Sequence, residues 1–521
     1  MRNRASRLIL PLAVAVAVAA GLLSVVGVAR ADAQPIVTNG CIQSVPEPGS
    51  TTPVDICYTL YRPGSASATN RMPLVFHSHG WAGSRSSSPT AFKAWLDEGF
   101  GMLSFDQRGF GESGGLAHIE NPDFEGQDVQ KLVDLVARLD WVLKDRRGDP
   151  KIGAIGGSYG GAYQYAGAFT EMRDRGRTRF DAIAPQMTWW DLKGSLAPQE
   201  VPRTAWLSAL YAAGVRDVPL DIHRGFSYSA ATNNWPKGQD PVAPNLDEFF
   251  AKNGPAWHVS QGRRLDIPAL MYQGHTDNLF NLNQGLTNFE QALTPGARAR
   301  SLFVGYNGGH TLPSALPTGT QVSGDPCSNQ LVERGLEPNQ QLGYDEIARR
   351  FMAEHLQGRN ANVIRGGRYF LATNGNRCVT TRSVAPDRAF RLPTTQAVSG
   401  PGIPLQVEVA TGPLTVAGVP RLSATVSTLG PDARLFFGLS VGTSAADARL
   451  VQNNMMPLRE ATQVSGAKRT IELPGVAVEV PLGQKLFLTV SGTSDMSFGH
   501  GSRTPGLVTL ADPVLELNTR L

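Results

Sequence analysis

The stretch Lys151-Ile-Gly-Ala-Ile-Gly-Gly-Ser-Tyr-Gly-Gly161 is an apolar, β-prone run that ends in a glycine-flanked serine. Directly behind it, Ala162-Tyr-Gln-Tyr-Ala-Gly-Ala-Phe-Thr-Glu-Met172 suits a helix. Strand, sharp turn, helix is the sequence form of a nucleophile elbow, and it makes Ser158 the candidate nucleophile. A serine hydroxyl is a weak nucleophile at its free pKa, so it needs a base beside it and a turn that holds its oxygen clear of the sheet. Gly156 and Gly160, which lack a Cβ, permit that turn. The alternative is a glycine-rich connection without chemistry. The chain carries its own control in Gly111-Glu-Ser-Gly-Gly115, which has the same glycine–serine spacing. Ser113 follows the polar Asp106-Gln-Arg-Gly109 and is succeeded by Leu116-Ala-His-Ile-Glu-Asn-Pro122 instead of a helix, which makes it a loop residue.

An elbow of this kind calls for an acid and then a histidine downstream, each just past a strand. Asp266-Ile-Pro-Ala-Leu-Met-Tyr-Gln-Gly-His-Thr-Asp277 supplies an apolar strand, a glycine turn and Asp277. Ser301-Leu-Phe-Val-Gly-Tyr-Asn-Gly-Gly-His310 supplies a second strand and His310. The order Ser158, Asp277, His310 is that of α/β-hydrolases and differs from the other triad orders. Of the nine histidines, His275 sits in the same turn as Asp277, and His118, His223, His258, His355 and His500 lack the strand-then-glycine setting. His77 and His79, in Pro73-Leu-Val-Phe-His-Ser-His-Gly-Trp-Ala-Gly83, follow an early strand, so His79-Gly80-Trp81 reads as the wall of an oxyanion hole. They have no third ligand at a useful spacing, and the chain contains no H-E-x-x-H or C-x-x-C; no metal and no cofactor are expected.

Asp106-Gln-Arg-Gly-Phe-Gly-Glu-Ser-Gly-Gly115, Ile155-Gly-Gly-Ser-Tyr-Gly-Gly161, Ala184-Pro-Gln-Met-Thr-Trp-Trp-Asp-Leu192, Gln273-Gly-His-Thr-Asp-Asn-Leu-Phe280 and Gly308-Gly-His310 together resemble the X-Pro dipeptidyl-peptidase and cocaine-esterase family of serine hydrolases. The likeness runs from about residue 35 to the C-terminus. It implies an α/β-hydrolase domain, a helical cap inserted before the acid-bearing strand, and a C-terminal jelly-roll. It further implies Ser158 as nucleophile, His310 as base, Asp277 as its orienter and the backbone N–H of Tyr159 as one oxyanion donor. The family commonly takes its second donor from a tyrosine after the early strand, and this chain has no tyrosine between Tyr61 and Tyr159. The second donor is therefore open, with the Trp81 N–H as first candidate.

The remaining composition fits an exported, multi-domain chain. Its 521 residues exceed what one core usually covers, and 41% hydrophobic content argues against disorder. Arg2, Arg4 and Arg7 precede an uncharged run, Leu8 to Ala29, and Ala29-Arg-Ala31 is a small-x-small cleavage site. Residues 1–31 read as a secretory signal, with an uncleaved anchor as the alternative. Cleavage removes four of the 48 Lys and Arg residues against 44 Asp and Glu, so the mature chain is near neutral. Nothing in it points to nucleic acid, or to a membrane once the signal is gone. Cys41, Cys57, Cys327 and Cys378 are even in number and bound for an oxidising compartment, which favours two disulfides. The sequence-local pairing Cys41–Cys57 with Cys327–Cys378 is preferred among three, and free thiols are the alternative.

Residues 32–384 form the expected hydrolase domain, including a helix from Gln127 to Leu143 and a closing amphipathic helix at Ile347–Leu356. The cap is expected at about 189–264, where Trp189, Trp190, Trp206, Trp235 and Trp257 concentrate. Trp189, Trp190 and Trp206 are candidate walls of a pocket over Ser158, or else the cap's own core. From residue 385 to 521 the apolar period becomes two, as in Leu405, Val407 and Val409, which reads as a β-sandwich. Cleavage of an ester or amide through an acyl-enzyme follows, on a small-molecule or short-peptide substrate. The first alternative is a proline-specific exopeptidase that would hold a substrate ammonium with cap carboxylates such as Asp191, Glu200 or Asp217. The second is an inactive surface-binding protein on a hydrolase scaffold. Oligomeric state is not legible.

Overall fold

The computed structural model describes residues 34–520 except 334, 335, 337–339, 365–367, 500 and 503; the expected signal segment and His500 lie outside the described residues. No helix among the described residues is long and apolar enough to cross a membrane.

A ten-stranded mixed sheet carries the site. Its strands are β1 Ile36–Ser44, β2 Val54–Arg62, β3 Leu74–Ser78, β4 Gly101–Phe105, β5 Ile152–Gly157, β6 Phe180–Gln186, β7 Leu270–Gly274, β8 Leu302–Tyr306, β9 Tyr369–Ala372 and β10 Cys378–Thr381. The order across the sheet is β1-β2-β4-β3-β5-β6-β7-β8-β9-β10. Pairings from β4 to β9 are parallel, while β1, β2 and β10 pair antiparallel at the two edges. Strands buried on both faces are predominantly apolar, and Gly101–Phe105 and Leu270–Gly274, each with a single polar residue of Ser or Gln type, are buried at every position. Helices cover the two faces: α1 Glu125–Arg138 and α2 Tyr159–Arg175 on one, and a later helix, Tyr344–Gln357, on the other.

The helix expected from Gln127 to Leu143 begins earlier and stops sooner. Leu139 is extended (φ −67°, ψ 131°), and Val142 is drawn into a bridge with Met72, so sheet pairing overrides the apolar helical period there. Both disulfides join the expected partners. Cys41 and Cys57 face each other in the β1–β2 register, and Cys327 is tied to Cys378 at the start of β10.

Between β6 and β7 the chain leaves the sheet and forms α3 Thr204–Gly214, α4 Leu220–Thr232 and two short helices, Leu246–Phe249 and Pro255–Ser260. Beyond residue 385 all strand pairings are antiparallel, and two main sheets enclose a core that includes Leu422, Val426, Phe437, Leu488 and Leu510. The strand Ala433–Gly442 is buried almost throughout on both sides, because its outer side chain Phe436 packs with Val201 at the cap's edge. Leu405, expected inside, is exposed; a register shift between Glu408 and Ala410 disturbs the alternation of that strand.

Candidate active site

Ser158, Asp277 and His310 follow β5, β7 and β8, at the carboxyl ends of parallel strands, where open α/β sheets bind their ligands. The chain between β5 and α2 turns so sharply that Ser158 sits at φ 59°, ψ −123°, a conformation costing about 1–3 kcal/mol in a non-glycine residue. Its N–H is spent on the Gln186 carbonyl, at 2.9 Å. Gly160 makes the close approach possible: a Cβ there would lie 2.4 Å from the Ser78 carbonyl oxygen at the end of β3.

A continuous line of hydrogen bonds joins the three side chains. Ser158 Oγ is 2.8 Å from His310 Nε2, and His310 Nδ1 is 2.7 Å from Asp277 Oδ2. Because a carboxylate only accepts, Nδ1 carries the proton and Nε2 is left to accept from the serine hydroxyl. The other carboxylate oxygen, Oδ1, takes the N–H groups of Leu279 and Phe280 at 3.0 and 2.7 Å. Asp277 is fully buried, and Gly309, at φ 107°, brings His310 onto it; a Cβ on Gly309 would stand 2.6 Å from the Asp277 Cβ.

Electrostatics single out the same histidine. Burial works against the His310 imidazolium, but the Asp277 charge and its hydrogen bond outweigh that and hold the pKa above the ordinary 6.5. Burial holds His77 and His275 down, to about 4 and about 3. It likewise lowers His79, His118 and His258.

The expected oxyanion wall is held by residues that the sequence reading did not assign to it. His79 Nε2 accepts the Gln107 N–H at 3.0 Å, and Gln107 Nε2 donates back to the His79 carbonyl at the same distance. Asp106, buried, accepts from the N–H groups of Arg85 and Glu112, while Ser113 Oγ donates to the Asp106 carbonyl and accepts the Cys57 N–H. Ser113 is thus a turn residue with both hydrogen-bonding functions occupied, and the Asp106–Gly115 stretch is the brace of the loop after β3. The Trp81 indole donates to the Leu210 carbonyl on α3 at 2.9 Å and meets Phe110 and Tyr159 edge-on.

Asn278 is a further residue the sequence reading passed over. Its N–H donates to the His310 carbonyl, its Nδ2 to the Leu312 carbonyl, and its Oδ1 accepts from Trp206 Nε1 and the Leu312 N–H. It therefore clips the acid loop to the histidine loop. Arg203, fully buried, donates to the Asn278 carbonyl at 2.6 Å, and burial lowers its pKa to about 10 despite the nearby Asp277 charge. Only adjacency to Asp277 could have drawn attention to Asn278, and nothing in the sequence marks Arg203.

A cavity of about 360 Å³ opens beside Ser158 beneath the cap. Of the three tryptophans expected in its wall, Trp189 lines it. Trp190 packs against the sheet core instead, and Trp206 stands edge-on to the His310 ring at 5.8 Å, outside the cavity wall. Trp81 and Trp235 take those places. None of the cap carboxylates considered for an ammonium lines it. Glu200 pairs with Lys237 at 2.7 Å and Arg459 at 3.2 Å, and Asp191 and Asp217 lie outside the wall. No cluster suited to a metal ion occurs among the described residues.

Residues 53–311 match the family model described as X-Pro dipeptidyl-peptidase (S15 family). This region belongs to that family of serine hydrolases. A solved CocE/NonD family hydrolase from Staphylococcus aureus is 13% identical, with a TM-score of 0.62 over 92% of this chain and 97% of that one. An alpha-amino acid ester hydrolase is likewise 13% identical, with a TM-score of 0.58 over 93% and 97%. At such identities the likeness carries the fold: an α/β-hydrolase sheet followed by an antiparallel all-β region. A non-heme chloroperoxidase from Streptomyces lividans is 28% identical over 217 residues, 40% of this chain and 75% of that protein. The S15 region makes the protein an enzyme that hydrolyses esters or peptides.

Proposed function

We propose that this protein is an exported serine esterase working through an acyl-enzyme. The observation that carries the proposal is the unbroken line from Ser158 Oγ through His310 to the buried Asp277, with Ser158 held at positive φ. Ser158 Oγ attacks the acyl carbon while His310 Nε2 takes its proton, and Asp277 keeps the imidazole in the required tautomer. The oxyanion forms beside the N–H of Tyr159, the first residue of α2, whose N–H has no acceptor one turn back. The N–H of Trp81 is the proposed second donor. The C–O bond to the alcohol then breaks, and the alcohol leaves with the proton from His310. Water, deprotonated by the same histidine, attacks the acyl-serine and releases the acid. The signal-like residues 1–31 and the two disulfides support export.

The family model's own description favours a second reading, an X-Pro dipeptidyl-peptidase. Turnover of p-nitrophenyl acyl esters against Gly-Pro and Ala-Pro p-nitroanilides, by the purified mature protein and by Ser158→Ala, separates the two. The expected result is that short or aromatic acyl esters are cleaved at least about tenfold faster than either anilide, a gap of about 1.4 kcal/mol in activation free energy. The activity is expected to vanish in the variant. Faster cleavage of free-amine X-Pro anilides, lost on acetylating the amine, establishes the peptidase instead. No turnover of either kind returns the chain to a binding protein.

A further inference from the structure

The cavity beside Ser158 has a composition that narrows the acyl group. Its walls include Tyr159 at the elbow, Leu207 on α3, Phe226 on α4 and Leu246 on the short helix Leu246–Phe249. Phe498, from the antiparallel C-terminal region, completes the wall and is 57% exposed, which puts it at the mouth. Among the described residues that line the space there is no aspartate, glutamate, lysine or arginine; its polar side chains are hydroxyls and indoles. The Tyr211 hydroxyl is already bonded to His223, at 2.9 Å.

A charged substrate group would enter such a space unpaired. Carboxyl groups stand behind the wall and not in it: Asp247 accepts from the Trp235 indole at 2.8 Å, Asp277 accepts from the Leu279 and Phe280 N–H groups, and Glu120 lies beside a pinhole of about 10 Å³ that shares Trp189 with the cavity. Burial, reinforced by Glu125 and Asp128, drives the Glu120 pKa well above the usual carboxylate range. The space, about 360 Å³, is large enough to take an apolar acyl chain of several carbons.

Resting on the esterase reading above, we propose that the cavity is an acyl-chain subsite and that the natural substrates are esters of uncharged fatty acids. The chain lies under α3 and α4 with its carbonyl at Ser158, and the alcohol lies toward the mouth at Phe498. Selectivity for length then comes from burial, each enclosed methylene raising kcat/KM by about threefold to fourfold until the space is full.

The test is kcat/KM for p-nitrophenyl esters from acetate to palmitate, run on protein whose active sites are counted with a fluorophosphonate. The expected profile climbs at least a hundredfold from acetate to octanoate or decanoate. The p-nitrophenyl ester of 7-aminoheptanoate, which carries an ammonium in place of the terminal methyl of octanoate, should react at least a hundredfold more slowly than octanoate. Leu246→Trp, which enlarges a side chain of the cavity wall, should move the optimum to shorter chains, and Phe226→Ala should move it to longer ones. A profile that peaks at acetate, an ammonium-tipped ester as fast as octanoate, or an optimum unmoved by both variants overturns the subsite while labelling at Ser158 leaves the esterase reading standing. Absence of both labelling and ester cleavage overturns the two together.

Discussion

At the scale of single residues, the account turns on how His310 is charged and aimed. Its raised pKa comes from Asp277 acting against burial, so the neutral imidazole that accepts the serine proton is present only above that raised value. Esterase kcat/KM should therefore fall as pH drops through a midpoint above 6.5. In Asp277→Asn burial acts without the opposing charge, so the midpoint of the residual activity should move to lower pH, and kcat should drop by about 10⁴ because the amide favours the wrong tautomer. A pH–rate profile of both proteins checks this, and a midpoint that stays put separates Asp277 from the titrating group. Asp266, exposed and bonded to Thr294, should tolerate the same substitution. Ser158, Asp277 and His310 were legible because each closes an apolar strand with a glycine turn, a local pattern. Asn278, Gln107 and Arg203 were not. Their work is to hold one loop against another, and such partnerships are fixed by the fold and leave no trace in spacing. The tryptophans show the same limit: composition placed them in the cap, but whether Trp190 faces the cavity or the sheet depends on how the cap sits on β7.

At the scale of elements, the elbow is an agreement between β3, β5 and α2. The glycines around Ser158 were readable as permission for a turn, but what they make room for is the Ser78 and His79 backbone at the end of β3. Gly160→Ala should therefore do more than lower helix entropy. Its Cβ would have to push β3 away from α2, costing about 1–3 kcal/mol of stability. It would also shift the loop carrying Gly80 and Trp81 relative to Ser158. Urea unfolding and the rate of fluorophosphonate labelling measure the two effects, and an alanine variant with wild-type values in both would show that the strand and helix do not meet so closely. The long helix α1 was legible from Gln127 to Arg138, was missed in its first two residues and was overextended at its end. Its apolar period continued into residues that the sheet claims through Met72 and Val142. The C-terminal strands were read from their alternation, but a strand buried on both faces, Ala433–Gly442, owes its outer apolar side chains to a surface elsewhere in the chain.

At the scale of the whole molecule, the antiparallel region is joined to the catalytic loops. Asn454 Nδ2 donates to the Asp277 carbonyl at 2.9 Å, Asn453 offers its carbonyl to Asn278, and Asp495 accepts the Ala315 N–H just beyond His310. Asn454→Ala, which leaves that Asp277 carbonyl without its partner in a buried place, should cost about 1–3 kcal/mol and lower kcat more than it raises KM. A chain ending at residue 384 should yield no active enzyme, since it would also expose Val201 and lose the Phe498 wall. Normal turnover by either variant would reduce the region to an appendage. The sequence announced a sandwich there but could not say what it touches. The claim on which all of this depends is that one serine in the chain is the nucleophile. Intact-mass measurement after fluorophosphonate treatment, with peptide mapping, tests it most directly. The account predicts one adduct per chain, on Ser158, retained in Ser113→Ala and absent from Ser158→Ala; an adduct that persists in Ser158→Ala, or that maps to Ser113, contradicts it.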